Sequence, residues 1–252
     1  MLELRNISKR YGETEVLKDF TLNIEKGKIT TFVGANGAGK STVLSIIARL
    51  MKSNTGQVLL EGNPITNIKD FEMAKKISVL KQTNNLNVKL TVRELVNFGR
   101  FPYSKGRLKK EDIESVDRAL EYLNLIDIQD KYIDELSGGQ RQRAYIAMVV
   151  AQDTEYILMD EPLNNLDMKH SVQIMKILRK LVDDLGKTIL VVIHDINFAS
   201  CYSDNIVALK DGRLIKSGRA CEMIQQDNLK EIFDLDFNIQ EVNNNRICVY
   251  FK

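Results

Sequence analysis

The first 24 residues alternate between apolar and polar side chains. This period of two runs through residues 2–8 and 15–24, with the tetrapeptide YGET between them. Successive side chains of a strand point to opposite faces, so the pattern predicts two antiparallel strands joined by a turn. A hairpin with Asp211 and Gly212 in its turn is predicted further along, and another turns at residues 243–245.

Continuous apolar runs of strand length recur between these ends. They are KITTFV (28–33), QVLLEG (57–62), KISVLKQ (76–82), YILMD (156–160) and TILVVI (188–193). Amphipathic helical spacing follows the first run at 43–52 and separates the last two at 168–186. Alternation of strands and helices of this kind predicts an α/β fold with a mainly parallel core sheet flanked by helices.

From Thr91 the pattern becomes helical over a longer stretch. Apolar residues recur at i, i+3 and i+4 through residues 91–100 and 111–127. We therefore predict a single domain over residues 1–252 that carries an inserted helical subdomain at about 88–152. Its C-terminal hairpin region is predicted at about 236–252.

The segment GANGAGKS, residues 34–41, matches the phosphate-loop pattern G-x-x-x-x-G-K-[ST] between a buried strand and a helix. Its glycines let backbone N–H groups curl around phosphates, and the helix N-terminus adds a positive dipole end. Lys40 is predicted to reach the β- and γ-phosphates, and Ser41 to hold Mg²⁺. The predicted nucleotide contacts here are Gly34, Ala35, Asn36, Gly37, Ala38, Gly39, Lys40, Ser41 and Thr42.

Two carboxylates follow the apolar run YILM, where a strand of the predicted sheet ends. Asp160 is predicted to orient Mg²⁺ through water, and Glu161 to polarise the attacking water. His194 ends the next strand, so we predict a sensing or orienting role for it at the same phosphate. His170 is expected to be an ordinary helix residue.

Composition and charge limit the classes of partner that the chain is expected to bind directly. Charged residues make up 28% of the chain and the formal net charge is +2, which gives no global field for nucleic acid. The three cysteines form no CxxC pair, so a disulfide framework or a cysteine metal site is not expected. The N-terminus lacks an apolar signal segment, and no apolar run approaches the roughly 20 residues of a membrane helix. A cytoplasmic chain is expected, with any membrane role supplied by a partner.

Several motifs, in a fixed order, resemble the nucleotide-binding ATPase of ABC transporters. The resemblance covers nearly the whole chain and rests on Tyr11 in KRYG, GANGAGKS, Gln82 in LKQ, LSGGQ at 136–140, YILMDEP, NNLD and His194. It implies a P-loop NTPase with an N-terminal antiparallel β-subdomain and an inserted α-helical subdomain. It also implies ATP and Mg²⁺, and a head-to-tail homodimer that forms in the presence of ATP.

In that family, the signature LSGGQ of one subunit caps the ATP of the other. The residues suit this role, because the amides of a glycine pair at a helix N-terminus can bind γ-phosphate oxygens. An alternative is that Ser137 simply caps a helix, which would not require two glycines. The predicted contacts of the signature are Ser137, Gly138, Gly139 and Gln140.

The resemblance implies further roles for single residues. Tyr11 would stack on adenine beside Val16, Gln82 would contact Mg²⁺ or the attacking water, and Asp167 would lie at the dimer interface. The family more often has a small hydroxyl residue or alanine near Asn164 and Asn165, which leaves open how this loop meets its partner. Water would attack the γ-phosphate in line, and hydrolysis would separate the dimer. Glu161→Gln is therefore expected to trap an ATP-bound dimer.

The run VNFGRFP at residues 96–102 resembles ATPases of importers for ferric siderophores, haem and vitamin B12. Physically it indicates only a rigid turn with a positive charge. We predict an iron–siderophore importer ATPase, peripheral on the cytoplasmic face of the membrane. A separate integral permease would dock at about 82–110, with a substrate-binding protein acting indirectly.

Alternatives are another ABC importer, for metal ions or polar amino acids, and an exporter ATPase. A soluble ABC protein acting on macromolecules would usually carry two cassettes or long insertions. A non-catalytic binding module is disfavoured because Lys40, Asp160, Glu161 and His194 are all present.

Overall fold

The strands of the chain form a central sheet, an antiparallel sheet and a C-terminal hairpin within residues 1–82 and 88–251, which the computed structural model describes. In chain order the strands are β1 (Leu2–Tyr11), β2 (Thr14–Ile24), β3 (Ile29–Val33), β4 (Thr55–Leu60), β5 (Asn63–Pro64), β6 (Ile77–Leu80), β7 (Tyr156–Asp160), β8 (Thr188–Val192), β9 (Asn205–Lys210), β10 (Arg213–Arg219), β11 (Asn238–Val242) and β12 (Asn245–Val249). The α-helices are α1 (Lys40–Ile47), α2 (Asp70–Lys76), α3 (Val92–Phe98), α4 (Phe101–Ser104), α5 (Lys110–Tyr122), α6 (Gly138–Ala151), α7 (Met168–Leu185), α8 (Ile196–Tyr202), α9 (Ala220–Met223) and α10 (Gln226–Phe233).

The central sheet has the strand order β10-β9-β3-β8-β7-β6. All neighbouring pairs except β10 with β9 are parallel, which confirms the predicted mainly parallel core. Both faces of the sheet are covered: in β7, Ile157 and Met159 enter one buried cluster, while Tyr156 and Leu158 enter another. Because both faces are buried, these strands are continuous apolar runs rather than alternating ones.

The N-terminal strands form the predicted antiparallel β-subdomain, in the order β2-β1-β4-β5. The pairing of β1 with β2 is antiparallel and continues to Tyr11 opposite Thr14. Phe20 of this sheet, Val43 of α1 and Leu158 of the central sheet belong to one buried cluster. Helix α1 therefore packs in the core that joins the antiparallel sheet to the central sheet.

The predicted helical insertion is present as α3 to α6. Val96, Leu120 and Ala144, one from each of its three main helices, are buried in a single cluster. The segment predicted as a helix at 168–186 is α7, whose apolar stripe at helical spacing is buried in the same cluster. Among residues 1–82 and 88–251, no helix combines the length and the apolar character needed to cross a membrane.

Both C-terminal hairpins are present. Asp211 and Gly212, with φ of 50° and 78°, form the turn between β9 and β10. Asn243 and Asn244, with φ of 50° and 63°, form the turn between β11 and β12. Asparagine, aspartate and glycine are the residues that enter this left-handed region most readily, so the local sequence sufficed to predict both turns.

The corner predicted as a rigid turn in VNFGRFP is a turn at Gly99 and Arg100, between α3 and α4, and its positive charge is buried. Arg100 is only 6% exposed. Its Nε donates to Asp112 Oδ1 at 3.0 Å, its Nη1 donates to the Ala151 carbonyl at 2.9 Å, and its guanidinium lies 4.0 Å from the ring centre of Tyr103. The charge therefore joins α4 to α5 and α6 instead of facing a partner.

Gly99 in the same corner is required by a close approach of two helices. A Cβ placed on Gly99 would lie 2.1 Å from the carbonyl oxygen of Met148 in α6. A larger residue would have to push α3 and α6 apart. Packing inside the helical insertion thus accounts for both Gly99 and Arg100.

We expect Arg100→Met to destabilise the fold strongly, because it leaves the Asp112 carboxylate buried without its cation. Breaking a buried ion pair from one side costs about 3–5 kcal/mol. Urea unfolding followed by circular dichroism would measure this change. As a matched control, Lys110→Met in the exposed pair with Glu114 should change the free energy of unfolding by less than about 1 kcal/mol. Equal losses in the two variants would contradict the assignment.

The same pair has an expected pH dependence. Burial tends to raise the pKa of Asp112, but the Lys109 backbone N–H and the Arg100 guanidinium outweigh it, so the pKa lies below the ordinary 3.8. A carboxylate with a lowered pKa stabilises the fold above its unfolded pKa and loses this contribution as the pH falls through its folded pKa. The stability difference between the wild type and Asp112→Asn should therefore shrink below about pH 4.

Candidate nucleotide-binding and hydrolysis site

The phosphate loop joins β3 to α1, and its shape depends on glycines at its two ends. Gly34 and Gly39 have φ of 139° and 101°. A Cβ on Gly34 would lie 2.1 Å from the Leu209 carbonyl oxygen, and one on Gly39 would lie 2.7 Å from Leu17 Cδ2. The loop is therefore pressed against neighbouring strands and leaves its other side open. Residues 35–37 are exposed at its rim, Ala38 and Gly39 are buried, and Thr42 is half-buried in α1.

Lys40 begins α1 and is almost completely buried, at 5% exposure. Its Nζ donates to the carbonyl oxygens of Gly34 and Ala35, both at 2.9 Å. Burial lowers the pKa of Lys40, although the charges of Glu161 and Asp160 oppose the shift. An anion placed in the loop would compensate this desolvated ammonium, which is the environment that a phosphate group needs.

Ser41 and Asp160 supply two neighbouring oxygen ligands. Ser41 Oγ donates to Asp160 Oδ1 at 2.8 Å, from the first turn of α1 to the end of β7. Burial raises the pKa of Asp160, and the Ser41 hydrogen bond opposes the shift. A hydroxyl beside a desolvated carboxylate fits Mg²⁺, which prefers oxygen ligands and usually shares them with substrate phosphates. No group of three or more His, Cys, Asp or Glu side chains in the described part of the chain could hold a metal.

Three side chains from separate segments converge on the Glu161 carboxylate. Gln82 Nε2 donates to its Oε2 at 2.6 Å, and His194 Nε2 lies 2.6 Å from its Oε1. Asn164 Nδ2 also donates to Oε2. The backbone of Glu161 is left-handed, with φ of 52°, which costs of order 1–2 kcal/mol in a residue other than glycine. This strained turn directs the carboxylate back across the strand ends, where the three donors fix its orientation.

The contact of Asn164 could not be anticipated from the sequence. This residue and Asn165 were recognised only as a departure from the family pattern. The structure places the Asn164 amide on Glu161, while Asn165 adopts a left-handed φ of 61° and turns its carbonyl towards Gly138. The only local signal is the spacing of three residues from Glu161, within reach of a side-chain amide across one turn.

The residues expected around the adenine lie at the end of β1 and in β2. Tyr11 is 48% exposed, its hydroxyl donates to Met51 Sδ at 2.8 Å, and Lys9 Nζ lies 5.5 Å from its ring centre. The carbonyl oxygen of Val16 would lie 2.9 Å from a Cβ on Gly39. Val16 therefore borders the phosphate loop, and Tyr11 presents an open aromatic ring. Stacking on adenine stays a prediction.

Ser137 does cap the signature helix. The Gln140 N–H donates to Ser137 Oγ at 3.3 Å, and the Ser137 N–H donates to Gln140 Oε1 at 3.1 Å, which together form a capping box at the start of α6. The helix-cap alternative is therefore correct as far as it goes. It explains Ser137 and Gln140 and does not explain the two glycines between them.

The two glycines have different surroundings. A Cβ on Gly139 would lie 2.4 Å from Cδ2 of His170, whereas one on Gly138 would meet only the Asn165 carbonyl oxygen, at 4.0 Å. His170 in turn hydrogen-bonds to Asp167, which caps α7. The expectation that His170 is an ordinary helix residue misses these contacts, because its neighbour Gly139 is 31 positions away in the sequence.

Comparisons of the sequence and of the structure with known proteins both find ABC transporter ATP-binding proteins. The sequence profile described as ABC transporter matches residues 17–164. The petrobactin import ATP-binding protein YclP of Bacillus subtilis is 59% identical over 252 residues, which is 100% of both chains. The petrobactin import ATP-binding protein FatE of Bacillus anthracis is 45% identical over 99% of this chain and 100% of its own. A solved dimeric structure of a bacterial ABC transporter cassette has a TM-score of 0.78 at 35% identity and covers 87% of this chain and 99% of that one.

We expect Asp160→Asn to leave the ligand-free fold as stable as the wild type, or slightly more stable. The amide keeps an acceptor for Ser41 and removes a charge that burial disfavours. The variant should nevertheless lose at least about tenfold in the Mg²⁺-dependent part of its ATP affinity. Thermal unfolding without nucleotide and ATP titrations with and without Mg²⁺ would measure both effects. A large fall in the unfolding temperature would contradict the desolvation argument.

Proposed function

The chain belongs to the ABC transporter family, and from this premise we propose that it energises the import of an iron–siderophore complex through a separate membrane permease. It is an ABC-type ATPase, and it binds ATP. The observation that carries the proposal is the 59% identity, over the full length of both chains, to a petrobactin import ATP-binding protein. The geometry of the site supports the ATP-hydrolysing part of the proposal, because Lys40, the pair Ser41–Asp160 and the Glu161 carboxylate lie where strands of the central sheet end.

Hydrolysis would proceed by positioning and charge stabilisation. Lys40 and the backbone N–H groups of the phosphate loop would hold the β- and γ-phosphates. Glu161 would orient a water in line with the γ-phosphate and accept its proton, while Gln82 and His194 keep the carboxylate facing that water. Mg²⁺ held by Ser41 and Asp160 would neutralise negative charge on the phosphates.

The active unit would be a head-to-tail dimer with two composite sites. The described residues around Gly138 do not demand a glycine, since a Cβ there would come no closer to their atoms than 4.0 Å, at the Asn165 carbonyl oxygen. We infer that the demand comes from outside the chain, from the γ-phosphate of an ATP held by the partner subunit. The N-terminus of the 14-residue α6 would add its dipole to this contact. The dimeric cassette among the solved structures supports this arrangement.

The permease would dock on aromatic side chains of the helical insertion. Phe98 and Phe101 are 55% and 57% exposed, although large aromatic residues are usually buried. Lys75 and Lys105 flank the neighbouring Phe71, each about 5 Å from its ring centre. Phe71 itself is half-buried in α2, which packs against α4. Exposed aromatics such as Phe98 and Phe101 suit an interface with the ends of membrane helices, and such docking would place the chain peripherally on the cytoplasmic face. Of the docking region predicted at about 82–110, residues 83–87 lie outside the described residues.

The siderophore itself would not touch this chain. A substrate-binding protein and the permease would select it, and the ATPase would drive their conformational cycle. Petrobactin is the first candidate, because four of the similar proteins are petrobactin import ATP-binding proteins. Haem, vitamin B12 and metal ions remain as other cargoes to be compared.

We expect source cells that lack this chain to take up ⁵⁵Fe-petrobactin much more slowly than wild-type cells under iron starvation, because import would lose the ATP hydrolysis that drives it. Wild-type chain supplied in trans should restore uptake, and Glu161→Gln should not. Uptake of haem and of vitamin B12 in the same cells provides the control for cargo. Unchanged petrobactin uptake together with a loss for another cargo would reassign the substrate, and no loss for any cargo would overturn an import role.

We also expect Phe101→Ser to lower recovery of the permease from detergent-solubilised membranes by at least about tenfold, since exposed aromatics often dominate an interface. ATP affinity should not change, because Phe101 lies in the helical insertion. Phe251→Ser is a matched control, since Phe251 is 73% exposed and lies near the C-terminus, outside the helical insertion. Equal recovery with the two variants would show that the permease docks elsewhere.

A further inference from the structure

Two parts of the proposed composite sites meet inside one subunit, at His170. The signature turn at residues 137–140 would contact the ATP of the partner subunit. The loop at 161–167 carries Glu161, which would act on the subunit's own ATP. His170, in the first turn of α7, contacts both the signature turn and the end of this loop. It therefore connects, within one subunit, the two segments that would act on different nucleotides of the proposed dimer.

The imidazole is fixed on one side by Asp167. His170 Nδ1 lies 2.8 Å from Asp167 Oδ1, and the backbone N–H of His170 donates to the same oxygen, also at 2.8 Å. An ionised carboxylate can only accept, so Nδ1 carries the hydrogen in this bond. With both contacts made, rotation of the ring would break a hydrogen bond to the helix cap.

On its other side the ring fills the place where a side chain of Gly139 would be. A Cβ on Gly139 would lie 2.4 Å from Cδ2, 2.6 Å from Cγ and 2.9 Å from Nε2 of His170. Any residue other than glycine at position 139 would therefore push the ring away from Asp167. Position 139 requires glycine because the His170 ring occupies the space that a side chain would fill.

A second contact joins the same two segments. Gln142, one turn into α6, donates from Nε2 to the carbonyl oxygen of Pro162 at 2.9 Å. Pro162 follows Glu161 directly. The signature helix is thus attached at both ends of the catalytic loop, through Gln142 near Glu161 and through His170 at Asp167.

We propose that His170 is a positioning residue that couples the signature turn to the catalytic loop of the same subunit. The inference rests on the dimer described under the proposed function. When the partner's ATP binds the amides of the turn, the His170 ring fixes where Asp167 and the loop from Glu161 lie. Occupation of one composite site thereby favours the productive arrangement of the other. His170 does not touch the nucleotide, so it is not a catalytic residue.

The experiment compares His170 variants in the full-length chain that also carries Glu161→Gln. Phenylalanine keeps a ring against Gly139 and cannot donate to Asp167, whereas asparagine keeps a donor and removes the ring. Lys169→Ala, exposed on the same turn of α7, is the matched control. The measurements are the affinity of the monomer for a fluorescent ATP analogue, the thermal unfolding temperature, and ATP-dependent dimerisation by light scattering.

We expect His170→Ala, His170→Phe and His170→Asn each to weaken ATP-dependent dimerisation by at least about fivefold. Nucleotide affinity of the monomer and the unfolding temperature should stay close to those of the parent, and Lys169→Ala should dimerise like the parent. A phenylalanine variant that dimerises like the parent would show that packing alone matters, which overturns the proposal. The proposal is also overturned if dimerisation weakens only in those variants whose unfolding temperature falls, because lost stability would then explain the effect.

A double variant tests the link between ring and turn directly. Gly139→Ala should weaken dimerisation at least as much as His170→Ala, because it displaces the ring and also changes a turn that would bind the partner's ATP. Adding His170→Ala to Gly139→Ala should cause no further loss, because the contact is already broken. Additive losses would overturn the coupling. If the Glu161→Gln parent itself stays monomeric with ATP, the proposed ATP-dependent dimer is contradicted, and so is this inference. If the parent dimerises and the His170 variants dimerise equally well, only the inference fails.

Discussion

The parallel pairing of β3, β6, β7 and β8 is the constraint on which the candidate nucleotide site depends. Parallel strands in register end at one edge of the sheet, and each of these four leads directly into a functional segment. The phosphate loop follows β3, Gln82 follows β6, the carboxylates end β7 and His194 follows β8. Residues as far apart in the sequence as Ser41 and Asp160, 119 positions, thus meet because the sheet aligns the points at which the chain leaves it.

Burial disfavours the charged forms of two side chains at this edge, and their mutual attraction offsets it only in part. Burial lowers the pKa of Lys40 and raises that of Asp160, so each charged form is disfavoured in the folded chain. A nucleotide with a divalent cation would bring the opposite charges to both. The Glu161 backbone is also strained, and three side-chain donors hold its carboxylate in one orientation. The fold therefore keeps this residue in an unfavourable conformation before any ligand binds.

The helical insertion shows how a motif can have a packing origin. Gly99 and Arg100 belong to the run that resembles siderophore, haem and vitamin B12 importers, but one permits the approach of α3 to α6 and the other is buried against Asp112. The motif is therefore evidence of a common helical architecture. The proposed cargo rests on the likeness over the entire chain.

Local sequence patterns were sufficient to predict the features that depend on neighbouring residues. Continuous apolar runs predicted the buried strands, Asp-Gly and Asn-Asn marked the hairpin turns, and the phosphate loop was complete within eight residues. Short helices such as α2, α8 and α10 were missed, since seven or eight residues show too little periodicity to separate helix from loop. The tertiary structure alone decided the contacts of Arg100 with Asp112, Gln82 with Glu161 and His170 with Gly139. Each of these joins residues 12 to 79 positions apart, and such contacts arise from how helices and strands pack, which no local pattern records.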